Sequence, residues 1–479
     1  MKLLNFIDGQ FVEPAEGKYL DNINPSTGAV YGQIPDSTAK DVEAAVKAAN
    51  IAFESWSETT RNQRSALMMK IAEIIESRLE EFAAAESRDQ GKPISLARTV
   101  DIPRAIYNFR FFANSILNQT QTHSELDGVA YSYVLKEPVG VAALISPWNL
   151  PLYLLTWKIA PCIAFGCTCV CKPSEFTSVT AYLLCKVFQQ AGLPNGVVNM
   201  IFGTGASAGS PLINHDDVPL LSFTGGTVTG ELIYKAAAAK NKKVSLELGG
   251  KNANIIFADC NFEEALSTSI RSSFSNQGEI CLCGSRIFVQ EEIYDKFVKE
   301  FTKKADELVV GDPADPATNM GPVVSQQHLE KILYYIDIAK QEGAKILAGG
   351  ARITSENLKA GYFVRPTVIA NVHPTESRCQ KEEIFGPVVT ITPFKTEEEV
   401  IKYANSTQYG LSASVWTENG RKANRVARKL KVGTVWVNTW MTRDLNMPFG
   451  GVKNSGLGRE GKDDSAHFFC EDKTICIKH

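Results

Sequence analysis

Between Val139 and Leu248 short apolar runs alternate with longer helical stretches, and that rhythm leaves few folds open. Val139 to Ser146 and Cys167 to Cys171 predict buried strands. Thr177 to Ala191 predicts a helix stopped by Gly192, with Pro194 just beyond. Val197 to Phe202 and Leu220 to Phe223 predict two further strands. Strand and helix in this order build a parallel sheet covered by helices, so the fold class is α/β. A second succession follows: Ile255 to Phe257, a helix from Phe262, Ser285 to Gln290, a helix from Ile293 to Leu308, then Val388 to Phe394 and Ser412 to Trp416. Ahead of both, Asp41 to Phe53 is amphipathic, with Val42, Ala45, Val46, Ala49 and Phe53 on one stripe, and a helix runs from about Arg61 to Ala85. Ser132 to Glu137 and Lys473 to Lys478 read as strands with no partner in either set; such edges seek a neighbour, often a second subunit.

At 479 residues the chain is long enough for two or three domains. A net charge of −3 with 22% charged residues suggests no nucleic-acid or anionic-membrane partner. Pro138 to Trp157 holds twenty residues without a charge, but Pro147, Asn149 and Pro151 interrupt it, so a strand, a loop and a helix start are expected rather than a membrane span. The N-terminus runs into turn residues without an apolar signal core, and a cytoplasmic protein is the expectation. Eleven cysteines, an odd number at irregular spacing, exclude a complete disulfide framework. Cys162, Cys167, Cys169 and Cys171 lack a second cluster to complete a metal site, and the last three share one strand face as small apolar residues. No metal is expected.

The chemistry concentrates in two segments. Phe274-Ser275-Asn276-Gln277-Gly278-Glu279-Ile280-Cys281 sets a cysteine behind a polar turn, which argues against deep burial of that cysteine in a core strand. Glu247-Leu248-Gly249-Gly250-Lys251 lies 34 residues upstream. A thiol with a carboxylate on glycine-rich backbone suits covalent catalysis followed by hydrolysis. Taken alone, Glu247 reads as an exposed strand-end carboxylate, Asn149 as a turn residue and Lys172-Pro173-Ser174-Glu175 as a surface turn. Cys283 reads as an inert neighbour. Gly203 to Gly209 is only a loose echo of a dinucleotide-binding glycine motif.

Together these segments resemble the NAD(P)-dependent aldehyde dehydrogenases, over essentially the whole chain from Phe6 to Lys478. The resemblance implies a Rossmann-type NAD-binding domain (1–118 and 140–248), a catalytic domain (249–447) and an oligomerisation element (119–139 and 459–479), in a homodimer or homotetramer. It makes Cys281 the nucleophile, Glu247 the base that activates water, and Asn149 the amide donor to the oxyanion. Lys172 and Glu175 would contact the adenosine ribose, and the Glu175 carboxylate favours NAD over NADP. Phe223-Thr224-Gly225-Gly226-Thr227-Val228-Thr229-Gly230 would open a helix onto the pyrophosphate. Gly226 departs from the serine usual there. Glu383 would hold the nicotinamide ribose, with Phe385 near the ring. Ile145, Pro147, Trp148, Ser174, Gly205 and Leu248 complete the implied cofactor set.

Asn108-Phe109-Arg110-Phe111-Phe112 and Ile280-Cys281-Leu282-Cys283 resemble the 2-aminomuconate and 2-hydroxymuconate semialdehyde dehydrogenases of tryptophan (kynurenine) and aromatic catabolism. Arg110, at the edge of the stripe Ile102, Ile106, Phe109, Ala113 and Leu117, and Arg443 would clamp the substrate carboxylate. The alternative for the arginines is pairing with the protein's own carboxylates, Asp444 being nearest to Arg443 in sequence. A broad-specificity, betaine-aldehyde or retinal dehydrogenase stays open, as does a non-catalytic crystallin-like protein.

Overall fold

Two large sheets carry the molecule, each built largely from parallel strands joined through helices. The structure is a computed structural model and describes residues 1–479. The first sheet has eight strands in the order Gly456–Leu457, Lys243–Glu247, Leu220–Thr224, Val141–Ile145, Thr168–Lys172, Val198–Met200, Asn5–Ile7 and Gln10–Val12. Its five central strands are parallel; Gly456–Leu457 and the N-terminal strands add antiparallel edges. Both faces are covered. Cys169 and Cys171 lie in the core on one face while Val170 lies in the core on the other, the alternation of a strand buried on both sides. All the cysteines are free.

The second sheet has seven strands, in the order Lys345–Ala348, Thr367–Ala370, Val388–Phe394, Arg286–Gln290, Ala253–Ile256, Ser412–Trp416 and Thr434–Val437. The two unassigned strands turn out to be each other's partners. Ala130–Pro138 pairs antiparallel with Cys470–Lys478 from Cys470↔Pro138 to Lys478↔Ala130, and His123–Leu126 adds a third strand. Residues 459–469 stand outside that small sheet: Lys462–Phe469 is a helix that packs against Pro151–Ala164.

The expected helix from Arg61 to Ala85 is two helices, Arg61–Ser77 and Leu79–Gln90, because Arg78 leaves helical geometry at φ −114, ψ 21. In the helix Ile102–Leu117 the buried stripe ends on Ile116, and Leu117 is exposed. No helix is long and apolar enough to cross a membrane.

Candidate active site

Strand Val141–Ile145 ends at the carboxyl edge of the first sheet, and the chain turns through Ser146 to Leu150 into the helix Pro151–Ala164. Pro147, Trp148 and Asn149 therefore stand where parallel sheets hold ligands. Glu247 ends a strand of the same sheet, paired with Thr224. The turn before Cys281 faces this edge. Asn276, Gln277 and Gly278 all have positive φ (51, 56 and 70), a region that costs a glutamine backbone energy. The polar turn is buried, and Cys281 after it lies outside any core strand. Asn276 Nδ2 donates to the Asn149 carbonyl at 3.0 Å and Gln90 Nε2 donates to Glu279 Oε2 at 2.7 Å, while Asn276 Oδ1 and Gln277 Oε1 are buried without partners. Asn149 Nδ2 donates one hydrogen to the Glu279 carbonyl at 2.8 Å, leaving its second free.

Cys281 is half-buried, on the wall of a cavity of about 260 Å³ shared with Asn149, Leu248, Glu383 and Phe385. Burial pushes its thiol well above the usual range, the Glu247 and Glu383 carboxylates add to this, and the Arg443 cation opposes it. A cation or N–H donors beside the sulfur are needed to form thiolate. Glu247 is buried rather than exposed, with Oε1 lacking any hydrogen-bond partner. Burial raises its carboxyl well above the ordinary range, the Glu460 carboxylate raises it further, and Lys158, Arg443 and Arg459 pull the other way. Lys158 Nζ lies 3.3 Å from Glu460 Oε1 and also donates to Ser222 Oγ at 2.9 Å. A carboxyl of raised pKa with a free oxygen is suited to take a proton from water.

A second cavity of about 680 Å³ joins the first through Pro147, Trp148, Gly225 and Gly226. Ile145, Lys172, Ser174, Glu175, Gly205 and Phe223 line it as well. The helix Thr227–Ala239 begins here with Gly226 at its cap and no side-chain cap bond, so its first N–H groups are left for an anion. Lys172 is buried and directs Nζ to the carbonyls of Pro173 and Gly203, with Glu175 Oε2 at 3.7 Å. Nothing lies within 4 Å of where a Cβ on Gly226 would stand, so the serine usual in relatives would fit. Thr227 and Gly230 do not line either cavity: Gly230 faces inward, and a Cβ there would collide with Leu248. Thr229 lines the cleft instead. At the far end Glu383 Oε1 accepts from the Gly250 N–H at 2.7 Å. Phe385, at φ 61, packs edge-on to Trp148 with ring centroids 5.3 Å apart.

The expected arginine pair needs correction. Arg110 points away from the site and forms a two-pronged ion pair with Glu76 on the neighbouring helix, at 3.1 and 2.5 Å. On the same helix Arg104 stands beside Tyr153 and within reach of the Arg443 charge. Six residues apart on one helix, the Arg104 and Arg110 side chains emerge about 240° apart around the axis. Arg104 lies 5.3 Å from the Tyr153 ring centre, and Arg443 Nη1 is 3.4 Å from the Tyr153 hydroxyl. Arg443 also stacks over Phe449 at 3.7 Å. Nε and Nη2 of Arg104 are buried without hydrogen-bond partners. Asp444 does not answer Arg443; it accepts from the N–H and side chain of Asn446. Burial lowers the Arg104 pKa and the Arg443 charge lowers it further. Tyr153 belongs to the apolar cluster against which Cys281 packs.

Sequence reading missed several lining or supporting groups: His328, Lys331, Lys158, Glu460, Tyr153 and Arg104. His328 Nε2 donates to the Phe385 carbonyl at 2.6 Å, and burial pushes the ring down to about 4, so it is neutral near pH 7. The only signal for these residues was distance in space; Lys158 and Glu460 are 302 residues apart.

The pattern of the aldehyde dehydrogenase family matches residues 11–475. A 2-aminomuconic semialdehyde dehydrogenase from Bos taurus is 54% identical, covering 100% of this chain and 99% of its own. A 2-hydroxymuconic semialdehyde dehydrogenase from Pseudomonas sp. (strain CF600) is 44% identical over 100% and 99%. Among solved structures, an NAD+ complex of aldehyde dehydrogenase from Bacillus cereus superposes with a TM-score of 0.97 at 41% identity, covering 100% of this chain and 97% of that one. A half-buried thiol, an amide donor and an anion-ready helix terminus on one cleft, with a buried carboxyl at the end of the adjoining strand, in a chain matched from end to end, lead to one conclusion: this protein belongs to the aldehyde dehydrogenase family.

Proposed function

We propose that the protein oxidises a carboxylated semialdehyde to the acid, with NAD as cofactor, and that 2-aminomuconate 6-semialdehyde or 2-hydroxymuconate semialdehyde from aromatic-ring breakdown is its substrate. One observation carries the substrate class. Two guanidinium groups, Arg104 and Arg443, flank Tyr153 and neither has a carboxylate partner in the protein. Partly buried cations without counter-ions suit an anionic ligand. The names of the relatives at 54% and 44% identity support the same reading. A betaine aldehyde would bring a cation to two cations, which disfavours it.

In this mechanism the Cys281 thiol gives its proton to the Glu247 carboxylate, which passes it on to solvent, and the sulfur attacks the aldehyde carbon. The free hydrogen of Asn149 Nδ2 and the N–H of Cys281 hold the resulting oxyanion. Bound in the cleft between Glu175 and Glu383, NAD supplies the hydride acceptor. With the hydride gone, the carbon remains on Cys281 as a thioester. Glu247 then takes a proton from water, hydroxide adds to the thioester carbon, and the acid leaves as the thiol is restored. Arg104 and Arg443 hold the distal carboxylate. Glu175 at the adenosine end favours NAD, since a 2′-phosphate would meet like charge. The three-stranded sheet, with its outer strands open, is the proposed pairing element of a homodimer or homotetramer, and residues 1–118 with 140–248 form the cofactor domain. A cytoplasmic location completes the reading.

The deciding experiment follows NADH formation by purified protein with aldehydes that do and do not carry a carboxylate. Preference for the carboxylated members is expected, and equal rates across the panel would overturn the substrate assignment.

A further inference from the structure

One buried lysine reaches toward both ends of the substrate without touching it. Lys92 sits between the helices Leu79–Gln90 and Ile94–Leu96 and has no exposed surface. Its ammonium carries three hydrogens, and two hydrogen-bond acceptors and one further carboxylate surround it. One is the main-chain carbonyl of Asn149, at 3.1 Å. The second is Asp101 Oδ2, and the third is Glu86 Oε1 at 3.5 Å. Asp101 ends a widened, π-type helical turn over Ala97–Asp101, in which the Ile102 N–H donates to the Ala97 carbonyl. The helix Ile102–Leu117 continues from it without a break, and Arg104 stands three residues on from Asp101.

Ordinary stability accounts poorly for this cluster. Two carboxylates and one cation are fully buried, both Glu86 oxygens and Asp101 Oδ1 lack hydrogen-bond partners, and burial raises Glu86 to about 7. Apolar residues of the same volume would pack there at no loss, and often with gain. What the cluster does supply is a fixed link. From one nitrogen, a hydrogen bond runs to the residue that carries the oxyanion amide, and an ion pair runs to the turn that launches Arg104. Widened turns of this kind recur where a helix must present a side chain to a site.

We propose that Lys92 is a positioning residue that sets the distance between the carbonyl-binding amide of Asn149 and the carboxylate-binding guanidinium of Arg104. It thereby matches the site to the length of a semialdehyde. The proposal rests on the substrate reading above for its Arg104 arm only.

Two double-mutant cycles test it. In single-turnover hydride transfer from an uncharged aldehyde, Lys92→Met is expected to slow the rate by about 10- to 100-fold, the scale of a slightly misplaced donor. In an Asn149→Ala background the same change should add less than about twofold, because its route is already gone. With a carboxylated semialdehyde, Lys92→Met should raise KM, and should not raise it further in an Arg104→Ala background. Equal, additive losses in both backgrounds overturn the proposal, since a merely structural lysine would act that way. Should Lys92→Met fail to bind NAD or fold, Asp101→Asn decides. That change keeps the bond to Asn149 and is expected to raise KM for the carboxylated substrate more than it lowers kcat for the uncharged one, whereas uniform loss overturns the proposal. If Arg104→Ala leaves a preference for carboxylated aldehydes intact, the substrate reading fails by itself, and the Asn149 cycle still decides the role of Lys92.

Discussion

The proposed cofactor end of the site rests largely on backbone from a few contiguous segments on one sheet edge, while the proposed substrate end is made of long side chains drawn from distant parts of the chain. Gly225, Gly226 and the first turn of Thr227–Ala239 offer N–H groups, which any sequence keeping that turn supplies. Arg104, Tyr153 and Arg443 offer charge and aromatic area, which depend on each residue and its neighbours. The difference teaches that a dinucleotide site survives sequence drift better than a substrate site does. It also locates specificity in side chains that can be changed singly.

The strongest test of this contrast is Cys281→Ser. Turnover is expected to fall at least about 10⁴-fold, as when a nucleophile is removed, while NAD affinity by calorimetry stays near that of the parent. A collapse of NAD binding as well would join the two ends and break the comparison. Next come the arginines. Arg104→Ala and Arg443→Ala should each lower kcat/KM for a carboxylated semialdehyde about 10- to 100-fold, the worth of a hydrogen bond to a charged group. Arg110→Ala should leave it unchanged, because that side chain is one-third exposed and spent on Glu76. A loss confined to Arg110→Ala would reverse the assignment.

A pH profile sharpens the picture of the base between the two ends. In the proposed mechanism Glu247 works only when deprotonated, and its pKa is raised first by burial and then by Glu460. Turnover limited by thioester hydrolysis therefore climbs with pH through that raised pKa. Glu460→Gln removes the neighbouring negative charge, lowers the Glu247 pKa, and should move the acid limb of kcat to lower pH. An unmoved limb would show that Glu460 does not act on Glu247. The smallest effect belongs to the cofactor end: Gly226→Ser, with open space for its hydroxyl, should tighten NAD about fivefold, the scale of one net hydrogen bond. Weaker binding would mean that the helix terminus needs a bare backbone.

Legibility in the sequence follows the same division. Parallel strands buried on both faces announce themselves as apolar runs, so Val388–Phe394 and Ser412–Trp416 were readable to the residue. Cys281, Glu247 and Asn149 each sit in a short motif, and the structure brings them to one sheet edge. Ala130–Pro138 and Cys470–Lys478 were legible as strands, but their pairing with each other was not, because more than three hundred residues separate them. Arg104 was hidden by rotation: helical periodicity ranks residues by distance from the apolar stripe and cannot tell which polar side meets Tyr153 and Arg443 from elsewhere in the chain. Glu76, on a different helix, decided that Arg110 was not the one.

The three left-handed residues ahead of Cys281 have a consequence for when reactivity appears. Partners of that turn come from Gln90, Asn149 and Val324, in three remote stretches of chain. Such a backbone shape holds only while all three grip it, so the nucleophile takes up its working pose after both large sheets have closed around it. A half-unfolded chain carries an ordinary cysteine there, and the pose that the proposed mechanism needs exists only in finished molecules.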